Sequence, residues 1–570
     1  MFRRNEEHRQ QSFFSGHYLL PDKLQERLLT SWAETFYQRL FCRIDEEIFA
    51  PLYSEEDSRP NTPVNVLIGL EILKSGFGWS DEELHEQVCF NLQVRHALGL
   101  RDLRSAIFTL RTLYNFRRRV REYEEETGIN LYQKVFEQVT DEQLEAVELA
   151  TGWQRMDSTQ VLSNLKKMNR LELLVSVLQA VHKQLPESVK EGCSQRWARY
   201  LERRPHQVCY RIATDEVEDH LVTIGQELSR VDAVLEEQAP ESKVVGLVRR
   251  VLEEQYEQDP EGDIHLRPEE EVASNSLQSP HDPDATYRVK GGAAYPGGYV
   301  ANVSETADPE NDLQLITDVQ VEPNRADDVA LMEKSLDDQD RRGIEVNQVT
   351  VDGGYTGPKG EDACEKHQVR LRPTRMRGGQ TAPDHWGWKE YTWEVKDDGT
   401  PVRVTCPQGC TAAVFPGRGK NRFLARFGDE RCAACPFFKT TCRVQERKRL
   451  SPTLYVTRRR VEIALRRQQM SPEDASIRAV VESTIRSLKR AFPASKLPVR
   501  GLIRARMVLY PAAMMVNLRR LHRHLTEKAE KAAQEATFSL SLAKIALRRC
   551  LKDIHRRLLP LIPQLTAASA

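Results

Sequence analysis

Residues 471–490, SPEDASIRAVVESTIRSLKR, constrain the chain more than any other stretch, because they set one carboxylate among cations beside a buried helix face. Ser471 and Pro472 suit a cap and a first helical residue, and Glu473 and Asp474 favour the positive end of the helix dipole. Ile477, Val481, Ile485 and Leu488 recur at helical spacing, which buries one side. Arg478, Glu482 and Lys489 fall within roughly 40° of one another, beside that stripe, at about 100° per residue. Alone, such a pattern gives a surface ion pair between Arg478 and Glu482. It becomes a site only if carboxylates from elsewhere in the chain reach the same helix.

Two stretches supply them. In WQRMDSTQV the polar residues Asp157, Ser158 and Thr159 interrupt a β-like run between Met156 and Val161. A carboxylate facing a core is costly unless it is paired or binds a metal. In IEVNQVTVDGGYTG the β-branched run Val346–Val351 ends at Asp352, and Gly353 and Gly354 make a turn that lets other groups approach the backbone closely. Alone, Asp-Gly-Gly is an ordinary turn. Between the two lie DATYRVK, GGYVANVSE and LQLITDVQV, spaced like a meander, and then a helix expected from Asp327 to about Asp340. VRLRPT gives a further strand. This order lets Asp157, Asp352 and Glu482 converge at one mixed sheet. Three carboxylates are the hard oxygen donors that hold Mg²⁺ (or Mn²⁺) in two-ion phosphodiester chemistry.

The remaining segments surround this core. Residues 1–150 are expected to be helical, with Thr62-Pro63 opening VNVLIGLEILKSG, Gly76 and Gly78 ending it, and a Ser80/Glu83 capping box starting the next helix. Short helices with tight turns fit a helix-turn-helix-like bundle. In TLRTLYNFRRRVREYEEE, the cations Arg117, Arg118, Arg119 and Arg121 stand beside Tyr114 and Phe116, a mixture suited to phosphate contacts. Residues 165–272 look like a helical insertion ending in an acidic patch. From about Arg375 to Val456 the composition changes, with short β-like pieces and five cysteines: Cys406, Cys410, Cys432, Cys435 and Cys442. The CPQGC and CAACP turns suit tetrahedral zinc held by four thiolates, most simply Cys406, Cys410, Cys432 and Cys435, with Cys442 the spare or a substitute ligand; free or redox-active thiols are the alternative. The stretch from about Leu502 is helical, and 526–570 forms its tail.

The net charge of −1 conceals segregation: Arg443–Arg506 holds 17 Lys/Arg against 5 Asp/Glu, a face suited to a polyanion. No run of about 18 apolar residues spans a membrane, and MFRRNEEHRQQ lacks a signal-peptide core. A cytoplasmic, DNA-associated protein is expected.

Taken with their order, MDSTQV, SPHDPDATYRVK, VDGGYTG, the cysteine-bearing insertion and the closing R-x-x-x-E-x-x-x-x-x-x-K resemble the DDE transposases of bacterial insertion sequences. The resemblance covers nearly the whole chain and implies an α/β fold. Its core would be a ribonuclease-H-like mixed sheet built from 151–164, 273–374 and 471–525. A helical DNA-binding domain (1–150), a helical insertion (165–272), a β-rich cysteine insertion (375–456) and the helical tail would surround it. It gives Asp157, Asp352 and Glu482 the three acidic roles, and Arg478 and Lys489 those of the basic companions, which on the face carrying Glu482 would point toward DNA. The related motif has a tyrosine three residues before the arginine, where this chain has Ala475. The implied activity is cleavage at element ends and joining of the 3′-hydroxyl to target DNA, in a homodimer or higher oligomer. A metal-dependent nuclease without strand transfer and an inactive DNA-binding relic are the alternatives.

Overall fold

The computed structural model describes residues 1–10, 15–54, 56, 60–103, 108–238, 240–259, 262–273, 275–290, 292–374, 385–447, 450–469 and 472–558. The Ser471 cap and the opening residues of the cysteine region, 375–384, lie outside the described residues, as do the side chains of 472–475 and the last residues of the tail.

Six strands make the central sheet: β1 (Trp153–Leu162), β2 (Thr286–Lys290), β3 (Ala293–Thr306), β4 (Ile316–Pro323), β5 (Gln348–Val351) and β6 (Arg370–Pro373). Its path is β2-β3-β1-β5-β6, with β4 also on β3. β3 runs antiparallel to β1, β2 and β4, whereas β5 runs parallel to β1 and β6 parallel to β5. The expected meander is therefore present, and the sheet is mixed, in an α/β chain. Polar residues do not interrupt β1, which runs unbroken through Asp157 and Ser158 because both side chains find partners in the core.

Alternation on β1 separates two faces. Gln154, Met156 and Ser158 face the helix Asp328–Arg341: Gln154 bonds Gln339, Met156 packs with Met332 and Leu336, and Ser158 bonds Asp328. Arg155, Asp157 and Val161 face the other way. There Val161, Tyr299, Ala301, Val303 and Ile316 share one apolar core with the N-terminal helices and with residues Ala505–Leu518 of the C-terminal helix. Residues 1–150 thus bury their apolar side against the sheet and that helix.

The helix Val64–Phe77 shows how these layers meet. Gly78 ends it with φ +77°, as expected, whereas Gly76 lies inside it. A Cβ on Gly76 would come within 2.2 Å of Met515 Cγ, so this glycine admits the C-terminal helix. Thr62 does not cap the helix either: Glu46 accepts from Val64 N and Asn65 N at 3.0 and 3.2 Å. The Ser80/Glu83 capping box forms as expected.

The segment between β1 and β2 packs its own core around Leu174, Trp197, Ile224 and Val248. Its described residues are helical from Arg170 to Gln255 apart from turns, and a short hairpin, Tyr256–Gln258 with Ile264–Leu266, follows inside the acidic patch, where Tyr256 anchors a strand in the core. Between β6 and the glutamate helix a second sheet of six antiparallel-paired strands encloses Tyr391, Trp393, Val404 and Leu454. The C-terminal helix runs Leu502–Leu558. Among the described residues, no helix is long and apolar enough to cross a membrane.

Candidate active site and its charged surroundings

Parallel pairing places the first two carboxylates together. Arg155 on β1 is in register with Thr350 on β5, so continuing the ladder by two residues sets Asp352 beside Asp157. Gly353–Tyr355 then turns in a short 3₁₀ segment whose N–H at Gly354 donates to Asp352 Oδ1 at 2.6 Å. The glycine is required here. A Cβ on Gly354 would stand 2.7 Å from Asp352 Oδ1 and 2.8 Å from Asp328 Oδ2.

The helix Pro472–Lys489 lies across β1 and brings the third carboxylate. Its apolar stripe is seated as expected, with Val481 and Leu488 buried. Arg478, however, does not serve Glu482 first. Its Nη2 lies 2.8 Å from Asp157 Oδ2 and 3.8 Å from Asp352 Oδ2, and its Nη1 lies 3.6 Å from Glu482 Oε1. One guanidinium therefore sits among all three carboxylates and touches most closely the one most withdrawn from water. Asp157 is 9% exposed, Asp352 26% and Glu482 49%. Arg478 Nε is buried without a hydrogen-bond partner.

Beneath these groups lies Tyr355, fully buried, its hydroxyl donating to Asn302 Oδ1 at 2.6 Å. Burial pushes this phenol well above its ordinary range, and the nearby charges of Asp328, Asp157 and Asp352 push it further. Asp328 is a fourth carboxylate in the neighbourhood; it accepts from Ser158 Oγ at 2.8 Å and is buried.

A second charged cluster, which no motif announced, fixes the helix from below. Glu305 at the end of β3 is fully buried, yet it accepts from Arg155 Nε at 2.6 Å, Thr484 Oγ1 at 2.7 Å and Arg520 Nη1 at 2.7 Å. Arg155 also donates to Ile477 O at 3.3 Å. Strand, glutamate helix and C-terminal helix thus meet on one carboxylate. Thr484 stands two residues from Glu482 and Arg155 two from Asp157, so the cluster sets the spacing of both. In sequence Glu305, Arg155 and Arg520 look like ordinary surface charges and Thr484 like an ordinary polar residue; only their tertiary meeting distinguishes them.

The expected DNA-contacting cations divide. Lys489 Nζ donates to Gln160 O at 2.7 Å, and burial lowers this amine to about 8. In this arrangement it ties the helix to β1 instead of projecting outward. Arg117 is likewise engaged internally, donating to Glu71 Oε1 at 2.6 Å and to both oxygens of Asp81 at 2.8 and 2.9 Å. Its guanidinium fork is filled by acids of neighbouring helices, so the phosphate contact expected of it is not what the geometry offers. Arg118 and Arg119 are exposed, the first near Glu122 at 3.2 Å, the second over the Tyr53 ring.

The cysteine region also forms in part as expected. Cys406 and Cys410 face across a tight turn, with Cys406 N donating to Cys410 O at 2.8 Å. Cys435 N donates to Cys432 O, closing the second turn. Burial first, and then the neighbouring cysteines, raise Cys432 to about 11. Cys442 lies in the same group, acting on Cys432 beside Cys410, Cys406 and Cys435, and its sulfur also has the Tyr391 hydroxyl and Val444 N at 3.5 Å. Among the described residues, no group of three or more His, Cys, Asp or Glu side chains is closed to metal-holding distances, and this includes both the carboxylate trio and the cysteines. For the carboxylates the physical reason is visible: a guanidinium stands among them. The carboxylate oxygens around it are hard donors, the kind that hold divalent ions such as Mg²⁺.

Two family models match this chain. One, described as a transposase domain (DUF772), matches residues 26–119, which include Arg117, Arg118 and Arg119. The other, described as a transposase DDE domain, matches residues 405–522, from just before Cys406 through Glu482 to the first part of the C-terminal helix. No curated protein and no solved structure matches.

Proposed function

We propose that the chain, which matches a transposase domain and a transposase DDE domain, is an insertion-sequence DDE transposase that cleaves phosphodiester bonds at element ends and joins the freed 3′-hydroxyl to target DNA. The observation that carries the site assignment is the convergence of Asp157, Asp352 and Glu482 on Arg478 from a strand, the turn after its parallel neighbour, and a helix. The sheet order, with one antiparallel strand beside β1, supports a ribonuclease-H-like core.

In this reading Asp157, Asp352 and Glu482 would hold two divalent metal ions, Mg²⁺ or Mn²⁺. When bound, these supply Lewis-acid activation of the attacking oxygen and stabilisation of the leaving one. The chain's own contributions are positional. Glu305, Arg155 and Thr484 hold the helix at a fixed distance from β1, and Gly354 keeps the Asp352 turn compact. Arg478 offers the planar fork that suits a phosphate, and a preset cation near the reacting phosphate stabilises developing charge. The exposed Arg118 and Arg119, with the basic stretch 443–506, would meet DNA outside the site. The second sheet would contact element ends, stiffened by one structural Zn²⁺ at Cys406, Cys410, Cys432 and Cys435. A dimer or higher oligomer would hold two ends.

The test uses a duplex carrying the element's ends, with Mg²⁺, and wild type beside Asp157→Asn, Asp352→Asn and Glu482→Gln. Wild type is expected to give nicked and joined products. Each variant should give neither while binding the duplex within a few-fold of wild type. Vigorous cleavage by the Glu482→Gln protein would overturn the assignment, and cleavage by wild type without joined product would reduce the activity to that of a nuclease.

A further inference from the structure

We propose that Arg478 couples DNA binding to metal loading: without DNA its guanidinium neutralises the carboxylate trio in place of a divalent cation, and a DNA phosphate draws it out. This rests on the reading of Asp157, Asp352 and Glu482 as the metal-holding set.

The distances set the first half. Arg478 is nearest to Asp157, at 2.8 Å, and farther from Glu482, at 3.6 Å, although Glu482 is its helical i, i+4 neighbour. A simple helix-surface pair would favour the opposite. Burial explains the choice. A carboxylate only 9% exposed needs a cation more than one that is 49% exposed, because water cannot screen it. Lys489 does not share the task, since its amine is bonded to Gln160 O. A guanidinium and a divalent ion cannot occupy the same few ångströms, so entry of one requires departure of the other.

The second half follows from what the present pose leaves unsatisfied. Arg478 Nε is buried with no acceptor, and two of its three carboxylate distances, 3.6 and 3.8 Å, exceed hydrogen-bond length. A phosphate presents coplanar oxygens that fill a guanidinium edge bidentately. Duplex DNA would therefore offer Arg478 better geometry than the trio does, and the trio, losing its internal cation, would bind metal more tightly. Before DNA arrives the same contact keeps the cleavage site from loading fully.

The experiment measures Mn²⁺ binding by titration calorimetry, or by the loss of the free-ion spin signal, on the full-length protein. A short mixed-sequence duplex is present or absent. Wild type is expected to bind Mn²⁺ about tenfold more tightly with duplex than without, within the range usual for coupled sites. Arg478→Gln should bind Mn²⁺ about tenfold more tightly than wild type without DNA and gain little when duplex is added. Arg478→Lys, which keeps a charge but not the planar fork, should fall between them. By reciprocity, Mn²⁺ should raise duplex affinity by the same factor in wild type and not in Arg478→Gln. If Arg478→Gln binds Mn²⁺ no better than wild type while Asp157→Asn abolishes binding, the coupling is wrong and the metal site stands. If Asp157→Asn and Glu482→Gln bind Mn²⁺ as wild type does, the metal-site reading falls and the coupling falls with it.

Discussion

Glu305→Gln is the substitution that probes the architecture of the site most sharply. The unmodified carboxylate is fully buried and holds two guanidinium groups and one hydroxyl at 2.6–2.7 Å. The amide keeps the volume but removes the charge, leaving buried Arg155 without a countercharge and turning N–H groups toward guanidinium donors. Breaking a buried ion pair from one side costs about 3–5 kcal/mol. Thr484→Val removes a hydroxyl that donates to the same carboxylate and accepts from Arg520, and a hydrogen bond to a charged group is worth about 1.5–3 kcal/mol. A chain with several separate cores does not unfold in a single step, so the appropriate readout is amide hydrogen exchange of the helix Pro472–Lys489. At about 1.4 kcal/mol per tenfold, Glu305→Gln should accelerate exchange there on the order of a hundredfold or more, and Thr484→Val about tenfold. The helix Asp328–Arg341, on the opposite face of the sheet, should change far less in both. Exchange of the glutamate helix within fivefold of wild type in Glu305→Gln would refute the positioning role.

Two further outcomes follow from the charges outside the site. Arg117→Ala should destabilise the N-terminal helices by about 3–5 kcal/mol, because buried Glu71 loses its cation, while the salt dependence of DNA binding stays unchanged; a selective loss of DNA affinity without thermal destabilisation would contradict this. Burial raises the Asp81 carboxyl, but the hydrogen bonds and charges of Arg117 and Lys74 outweigh it and hold the group at about 2. Its stabilisation is therefore present above the unfolded value of about 3.9 and is lost as pH falls toward 2, so Asp81→Asn should lower thermal stability near neutrality and flatten its acid dependence. Elemental analysis of the purified chain should find about one zinc, reduced by Cys432→Ser, the thiol on which the other four cysteines act; absence of zinc with unchanged folding after chelation would leave plain thiols.

Much of the frame was legible because its signals are local. The stripe Ile477, Val481, Ile485 and Leu488 specifies a helix and its buried side within four turns. A β-branched run stopping at Asp352-Gly-Gly marks a strand end within a few residues, and Ser80 with Glu83 marks a helix start. Where partners come from far along the chain, no local signal exists. Glu46 caps a helix that begins 18 residues later, taking the place expected of Thr62. The Glu305 cluster draws on residues 150 and 215 positions away, so the carboxylate that anchors the site looked like one acid among many.

Arg117 falls between these cases. Basic residues beside aromatics suggested a phosphate-binding face for Arg117, Arg118 and Arg119 alike, but that inference counts residue types and ignores rotation about the helix. On Leu110–Thr127 the buried residues are Leu113, Phe116, Val120 and Glu124. Arg117 follows Leu113 by four and precedes Val120 by three, which puts it on the same side. A cation there must either reach water past apolar neighbours or find acids in the adjoining helices, and Glu71 and Asp81 supply them. Arg118 and Arg119, turned about 100° and 200° further, stay exposed. The same rotation acts at Arg478, which leans from its helix toward β1 and therefore meets Asp157 before Glu482. In both helices a guanidinium is claimed first by the most deeply buried acid within reach, Glu71 for Arg117 and Asp157 for Arg478.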